Sequence, residues 1–92
     1  MTVLRLIRRP EIEQHREVLN RWLKDNGIDP DAVLDNWIST EIVDHQRVIR
    51  YQAYKLTVDG KRLIDPDDPT RAWTEELTAP LYVQLFLPEA SA

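Results

Sequence analysis

The spacing of apolar positions along this chain changes character twice. Residues 2–7 mix Val3, Leu4, Leu6 and Ile7 with Thr2 and Arg5 and predict a short strand. From residue 10 the spacing becomes helical. Ile12, His15, Val18, Leu19, Trp22 and Leu23 recur at steps of three and four and form one stripe. Pro10 suits the first helical position, because its missing N–H has no partner there, and Glu11 and Glu13 put negative charge at the positive end of the macrodipole. Gly27 is placed for the left-handed residue beyond the helix end, with Ile28 for the apolar contact that follows. The spacing therefore predicts one helix over residues 10–26. Asp29 and Pro30 repeat the start signal, and Ala32, Val33 and Leu34 extend it to about a turn and a half before Asn36 stops it.

From Trp37 the period is two. Residues 37–43 are rich in β-branched side chains and predict a strand, and Asp44, His45 and Gln46 turn the chain. Residues 47–58 predict a longer strand, with Val48, Arg50, Gln52 and Tyr54 on one face and Ile49, Tyr51, Ala53 and Lys55 on the other. A bulge near Ala53 would bring Ile49 and Tyr51 to the side of Leu56 and Val58. Asp59-Gly60 fits a two-residue type I′ hairpin, which sets Leu56 opposite Leu63 and Thr57 opposite Arg62. Residues 65–69 hold two prolines and three aspartates and are expected to end the ladder as a loop. Residues 69–78 are open between a helical turn and an extended run. Residues 81–87 are apolar on both faces and predict a final strand in a central or covered position, with the N-terminal strand as one candidate partner. The fold class is α+β: one N-terminal amphipathic helix packed on a curved antiparallel sheet of three to five strands. Residues 1–88 make a single domain and residues 89–92 a mobile tail.

Composition narrows the function classes. A chain of 92 residues has room for one core, burying about 60–65% of its unfolded surface. A formal net charge of −4 gives no general attraction to nucleic acid or anionic lipid, although a local basic patch is compatible with it. There is no cysteine, which removes thiolate zinc sites and favours a cytoplasmic setting over a secreted one. No apolar run reaches the roughly 20 residues of a membrane span, and the first ten residues lack the apolar run of a signal peptide.

Candidate chemistry is sparse. Asp65, Asp67 and Asp68 offer carboxylates for a hard cation, but the Gly and bidentate Glu of a calcium loop are missing, so the cluster reads as a solvated turn. His15 lies on the helix stripe and His45 in a turn, too far apart for a metal or acid–base site. Ser39 and Ser91 have no glycine elbow or neighbouring base, and the two glycines, Gly27 and Gly60, have cap and turn explanations. No catalytic group, cofactor or metal site is expected. Arg5, Arg8, Arg9, Arg16 and Arg21 are the candidate nucleic-acid contacts, with Tyr51 and Tyr54 for stacking, but Glu11, Glu13, Glu17 and Asp25 interleave with them. Trp37 and Trp73 lie at element edges and, with Arg50 and Gln52, make the candidate partner surface, because Trp supplies a large contact area at low entropy cost. Trp22 belongs to the stripe and the core.

Residues 8–23, then 26–30, 58–62 and 65–72, resemble small proteins of actinobacteria and their phages or prophages that carry no assigned activity. The resemblance implies an intracellular, phage-borne accessory or virion-associated role and carries over no functional residue. The expected function is a non-enzymatic protein-interaction module, with another protein or a second copy as partner and no membrane. The second reading is a nucleic-acid-associated regulator using the N-terminal arginines.

Overall fold

The structure, a computed structural model, describes residues 2–86. Strand β1 (Thr2–Arg8) leads into helix α1 (Arg9–Gln14) and helix α2 (Arg16–Asp25). A single 3-10 turn (Pro30–Ala32) precedes strands β2 (Val33–Val43) and β3 (Gln46–Tyr54). A small hairpin of β4 (Ile64–Asp65) and β5 (Asp68–Ala72) follows, then β6 (Thr74–Pro80). The main sheet is antiparallel and four-stranded, in the order β1-β2-β3-β6, and β4 and β5 pair separately. The α+β class and the antiparallel sheet agree with the sequence reading. The tail at 89–92 and Leu87 lie outside the described residues.

The expected single helix is two. His15 leaves helical geometry, with φ −118° and ψ 32°, and the chain bends there. Ile12 and the pair Leu19 and Trp22 thereby reach one buried cluster from two short axes. At the far end the cap forms as the sequence indicates. Gly27 sits at φ +79°, its N–H donates to Lys24 O, and Ile28 N–H donates to Leu23 O. These two bonds are the Schellman pattern, and the buried Ile28 supplies its apolar contact. Asp29 caps the next turn, its side chain accepting from Asp31 N–H. That turn ends at once, because Val33 and Leu34 continue as β2 instead of helix.

The β2–β3 hairpin sets the frame. Asp44 and His45 stand at φ 51° and 66°, and Val43 pairs with Gln46. Two left-handed residues between paired strands make a type I′ turn, here without glycine. From that turn Ile38 falls opposite Tyr51, Ser39 opposite Arg50 and Glu41 opposite Val48. The alternation expected for β3 holds without a bulge, and its register with β6 is unbroken from Val48 to Tyr54. The irregularity lies on β2, where the register shifts between Val33 and Ile38. The chain there swells around Asp35 and Asn36, which accept hydrogen bonds from Arg9 and Arg16.

Two other expectations are corrected and one open alternative is decided. The Asp59-Gly60 hairpin is longer by one residue. Leu56 bridges Arg62, Thr57 N–H donates to Lys61 O, and Gly60 N–H donates to Thr57 O. Gly60 alone is left-handed, at φ +83°, while Asp59 is not. That is a three-residue loop with a glycine bulge, so Leu63 slips out of register with Leu56. Residues 65–69 do not end the ladder: Asp65 pairs with Asp68 across Pro66 and Asp67. Residues 69–78 are extended, not helical.

Among the described residues the last strand is Thr74–Pro80, and residues 81–86, expected to form it, are not a strand. Beyond Pro80 the chain crosses to α2, where buried Asn26 holds it. Its Oδ1 accepts from Tyr82 N–H and Val83 N–H at 2.8 Å each. Trp22 Nε1 donates to Val83 O at 2.6 Å. Side-chain groups thus satisfy backbone that a neighbouring strand would otherwise pair. Leu81 and Leu85 pack on the core from this segment, which is why it reads as apolar. β1 pairs with β2 alone, so it is an edge of the sheet.

Candidate functional site

The register divides the sheet into two faces. On one, Ile7, Ile38 and Tyr51 line up in a row, with Ile49 in the next. These side chains join Ile12, Leu19, Trp22 and Leu23 in the buried cluster. On the opposite face Leu6, Ser39, Arg50 and Thr78 form a row, flanked by Trp37 on one side and Glu41 on the other. Here Val3 is 55% exposed and Leu6 42%.

Two polar groups are nonetheless buried on this second face. Glu41 is 2% exposed and Ser39 3%. Ser39 Oγ donates to Glu41 Oε2 at 2.8 Å, and Arg50 reaches Glu41 at 3.3 Å. Arg50 also pairs with Glu76. The register explains the arrangement. Arg50 is directly opposite Ser39 and Thr78, so Glu41 and Glu76 are its diagonal neighbours on the strands to either side, within reach of a long side chain. The hydrogen bond from Arg50 to Glu41 holds the guanidinium charged, pushing its pKa up, with the Coulomb attraction of Glu41 and the contact with Glu76 adding to it. No buried side-chain nitrogen or oxygen among the described residues lacks a partner.

Around this network lies a hollow of about 630 Å³, bordered by Val3, Leu6, Pro10 and Trp37 on the apolar side and by Arg8 and Arg50 among the polar ones. It is a shallow, open hollow that joins an apolar wall to a few converging polar groups. A second hollow, about 410 Å³, is polar and holds Arg9, Arg16, Asp35, Tyr54 and Arg62.

Of the candidate partner residues, Trp37 and Arg50 border the first hollow, and Gln52 shares their face, accepting from Asn36 Nδ2 at 3.0 Å. Trp73 does not join them. It lies by Tyr51 and Leu77 with Lys55 Nζ 3.8 Å above its ring. The candidate nucleic-acid arginines are dispersed. Arg5 pairs with Glu11 at 3.5 Å, Arg16 with Asp35 at 2.8 Å, and Arg9 bonds Asp35 O and Asn36 Oδ1. The bond to Asp35, reinforced by its charge, pushes the Arg16 pKa up. Arg8 is exposed at the end of β1, and Arg21 on the polar side of α2.

The other candidates stay apart. Asp65 and Asp68 accept from backbone N–H groups two residues on, in Asx turns. Hydrogen bonds from the Thr70 hydroxyl and N–H hold the Asp68 carboxyl below its usual range. Among the described residues no cluster of acids and histidines is placed to hold a metal ion. No helix of the described residues is long and apolar enough to cross a membrane. His15 is half-buried at the helix bend and His45 exposed in the turn.

Sequence reasoning weighed Ser39 only as a nucleophile and missed Glu41. The signal was available: once Asp44 and His45 are taken as a two-residue turn, Arg50 falls opposite Ser39 and diagonal to Glu41. Compared with family models, curated proteins and solved structures, the chain finds no match, and its own residues carry the functional argument.

Proposed function

We propose that this domain is a non-enzymatic protein-interaction module that docks a partner protein on the outer face of its sheet. One observation carries the reading: Val3, Leu6 and Trp37 border an internally satisfied Ser39–Glu41–Arg50 network, whose hydroxyl and carboxylate are buried, on the face opposite the buried cluster. Side chains of the two helices share the buried cluster with the other face, and apolar side chains left on the open one gain by being covered. A satisfied polar centre inside an apolar border fixes the register of whatever docks there without leaving a buried charge unpaired.

Affinity capture with the intact chain tests it. A partner that binds the purified protein in fixed stoichiometry, protects β1 and β2 amides from hydrogen exchange, and is lost with Leu6→Lys and Trp37→Lys but kept with Arg21→Glu supports the reading. Capture indifferent to Leu6 and Trp37 overturns it.

A further inference from the structure

The outer-face hollow carries positive charge that its own residues do not neutralise. Arg8, Arg9 and Arg50 border it against two acids, Glu41 and Glu76. Arg50 is committed to both acids. Arg9 donates to a backbone carbonyl and an amide oxygen, neither of them charged. Arg8 is exposed, and among the described residues it has no carboxylate partner. Arg8 and Arg9, adjacent in the chain, therefore both border the apolar hollow, with Arg9 lining the second, polar hollow as well.

Building on the docking reading, we infer that the partner segment is acidic as well as apolar. An apolar side chain enters the hollow against Trp37 and Leu6, and a carboxylate close by in the same segment meets Arg8 and Arg9. Guanidinium groups bind carboxylates through paired, charge-assisted hydrogen bonds. A nucleic-acid strand meets the same two arginines with phosphates but finds no basic track beyond them. Arg5 and Arg16 are paired with Glu11 and Asp35.

The test titrates the full chain, by fluorescence anisotropy at low salt, with three labelled probes: a peptide of about ten residues alternating Leu with Glu, its counterpart alternating Leu with Lys, and an oligothymidine of similar length. The Leu/Glu peptide binds. The double variant Arg8→Glu/Arg9→Glu, with an unchanged thermal melt, weakens it by about tenfold or more, whereas Arg21→Glu leaves it within about twofold. The Leu/Lys peptide does not bind. Absence of binding by the Leu/Glu peptide, equal binding of both peptides, indifference to the double reversal, or tighter binding of the oligonucleotide overturns the inference. If capture of a partner still depends on Leu6 and Trp37 but ignores the double reversal, docking stands and the acidic partner falls.

Discussion

The two faces of the four-stranded sheet are built from the same strands and held by opposite means. The clustered face is mainly apolar: Ile7, Ile38 and Ile49 are at most 1% exposed, and the hydroxyls of Thr40 and Tyr51 are the polar groups among them. The outer face buries a carboxylate and a hydroxyl and leaves leucine and valine in water. On the first, stability comes from area removed from solvent and from close packing. On the second, it comes from mutual satisfaction of Ser39, Glu41, Arg50 and Glu76, which contributes less net energy but is costly to interrupt. A domain this small gives up core volume by spending one sheet face on polar groups. The comparison teaches that the clustered face makes the fold and the outer face is free to be specialised.

Substitutions can break or sharpen that contrast. The largest loss is expected on the clustered face. Ile38→Ala and Ile49→Ala each destabilise by about 3–4 kcal/mol, from lost burial plus a cavity, read as a lower urea midpoint at constant slope. On the outer face Arg50→Met follows, because Glu41 then keeps only the Ser39 hydroxyl inside the sheet. The double variant Arg50→Met/Glu41→Gln recovers part of that loss by removing the stranded charge. A double-mutant cycle in urea checks this, and simple additivity would mean that the pair is not coupled.

Asn26→Ala comes next, at about 2 kcal/mol, because two N–H groups of the segment after β6 lose their acceptor. Hydrogen exchange at Tyr82 and Val83 should rise more than elsewhere. Leu6→Lys should change stability by no more than about 0.5 kcal/mol while abolishing docking, separating fold from function on the same strand.

The smallest effect is a pH dependence. Burial, with the nearby Glu75 charge, pushes the Tyr51 phenol above its ordinary value. Below the unfolded value, about 10, the neutral phenol is common to both states and its stabilisation is intact. Above it the unfolded chain ionises first, so stability falls as pH rises toward the folded value. Tyr51→Phe should flatten this alkaline decline in a series of urea melts. Unchanged curves would show that Tyr51 ionises as freely folded as unfolded.

Much of the local structure was legible in the chain. The Schellman cap at Gly27, the Asp29 cap, the alternation of β3 and the turn at Asp44 and His45 all follow from residues within a few positions of one another. Local rules failed where distant groups intervened. The helix bends at His15 because two parts of its stripe meet one cluster. Residues 81–87 look like a strand because Leu81 and Leu85 are core residues, yet Asn26 and Trp22 on α2 take up the backbone bonds a strand would have used. Residues 65–69 carry turn chemistry, but Ile64 and Ala72 pair around them and keep a short ladder.

Periodicity and backbone preference act over a few residues, so the chain alone specified the α+β class, the caps, the turn between β2 and β3 and most of the apolar set that forms the core. Tertiary structure alone decided the strand order, the one-residue slip at Gly60 and the meeting of Arg50 with Glu41 and Glu76. Those depend on which strands become neighbours and in what register, and a diagonal contact across two strand pairs leaves no periodic trace in the chain.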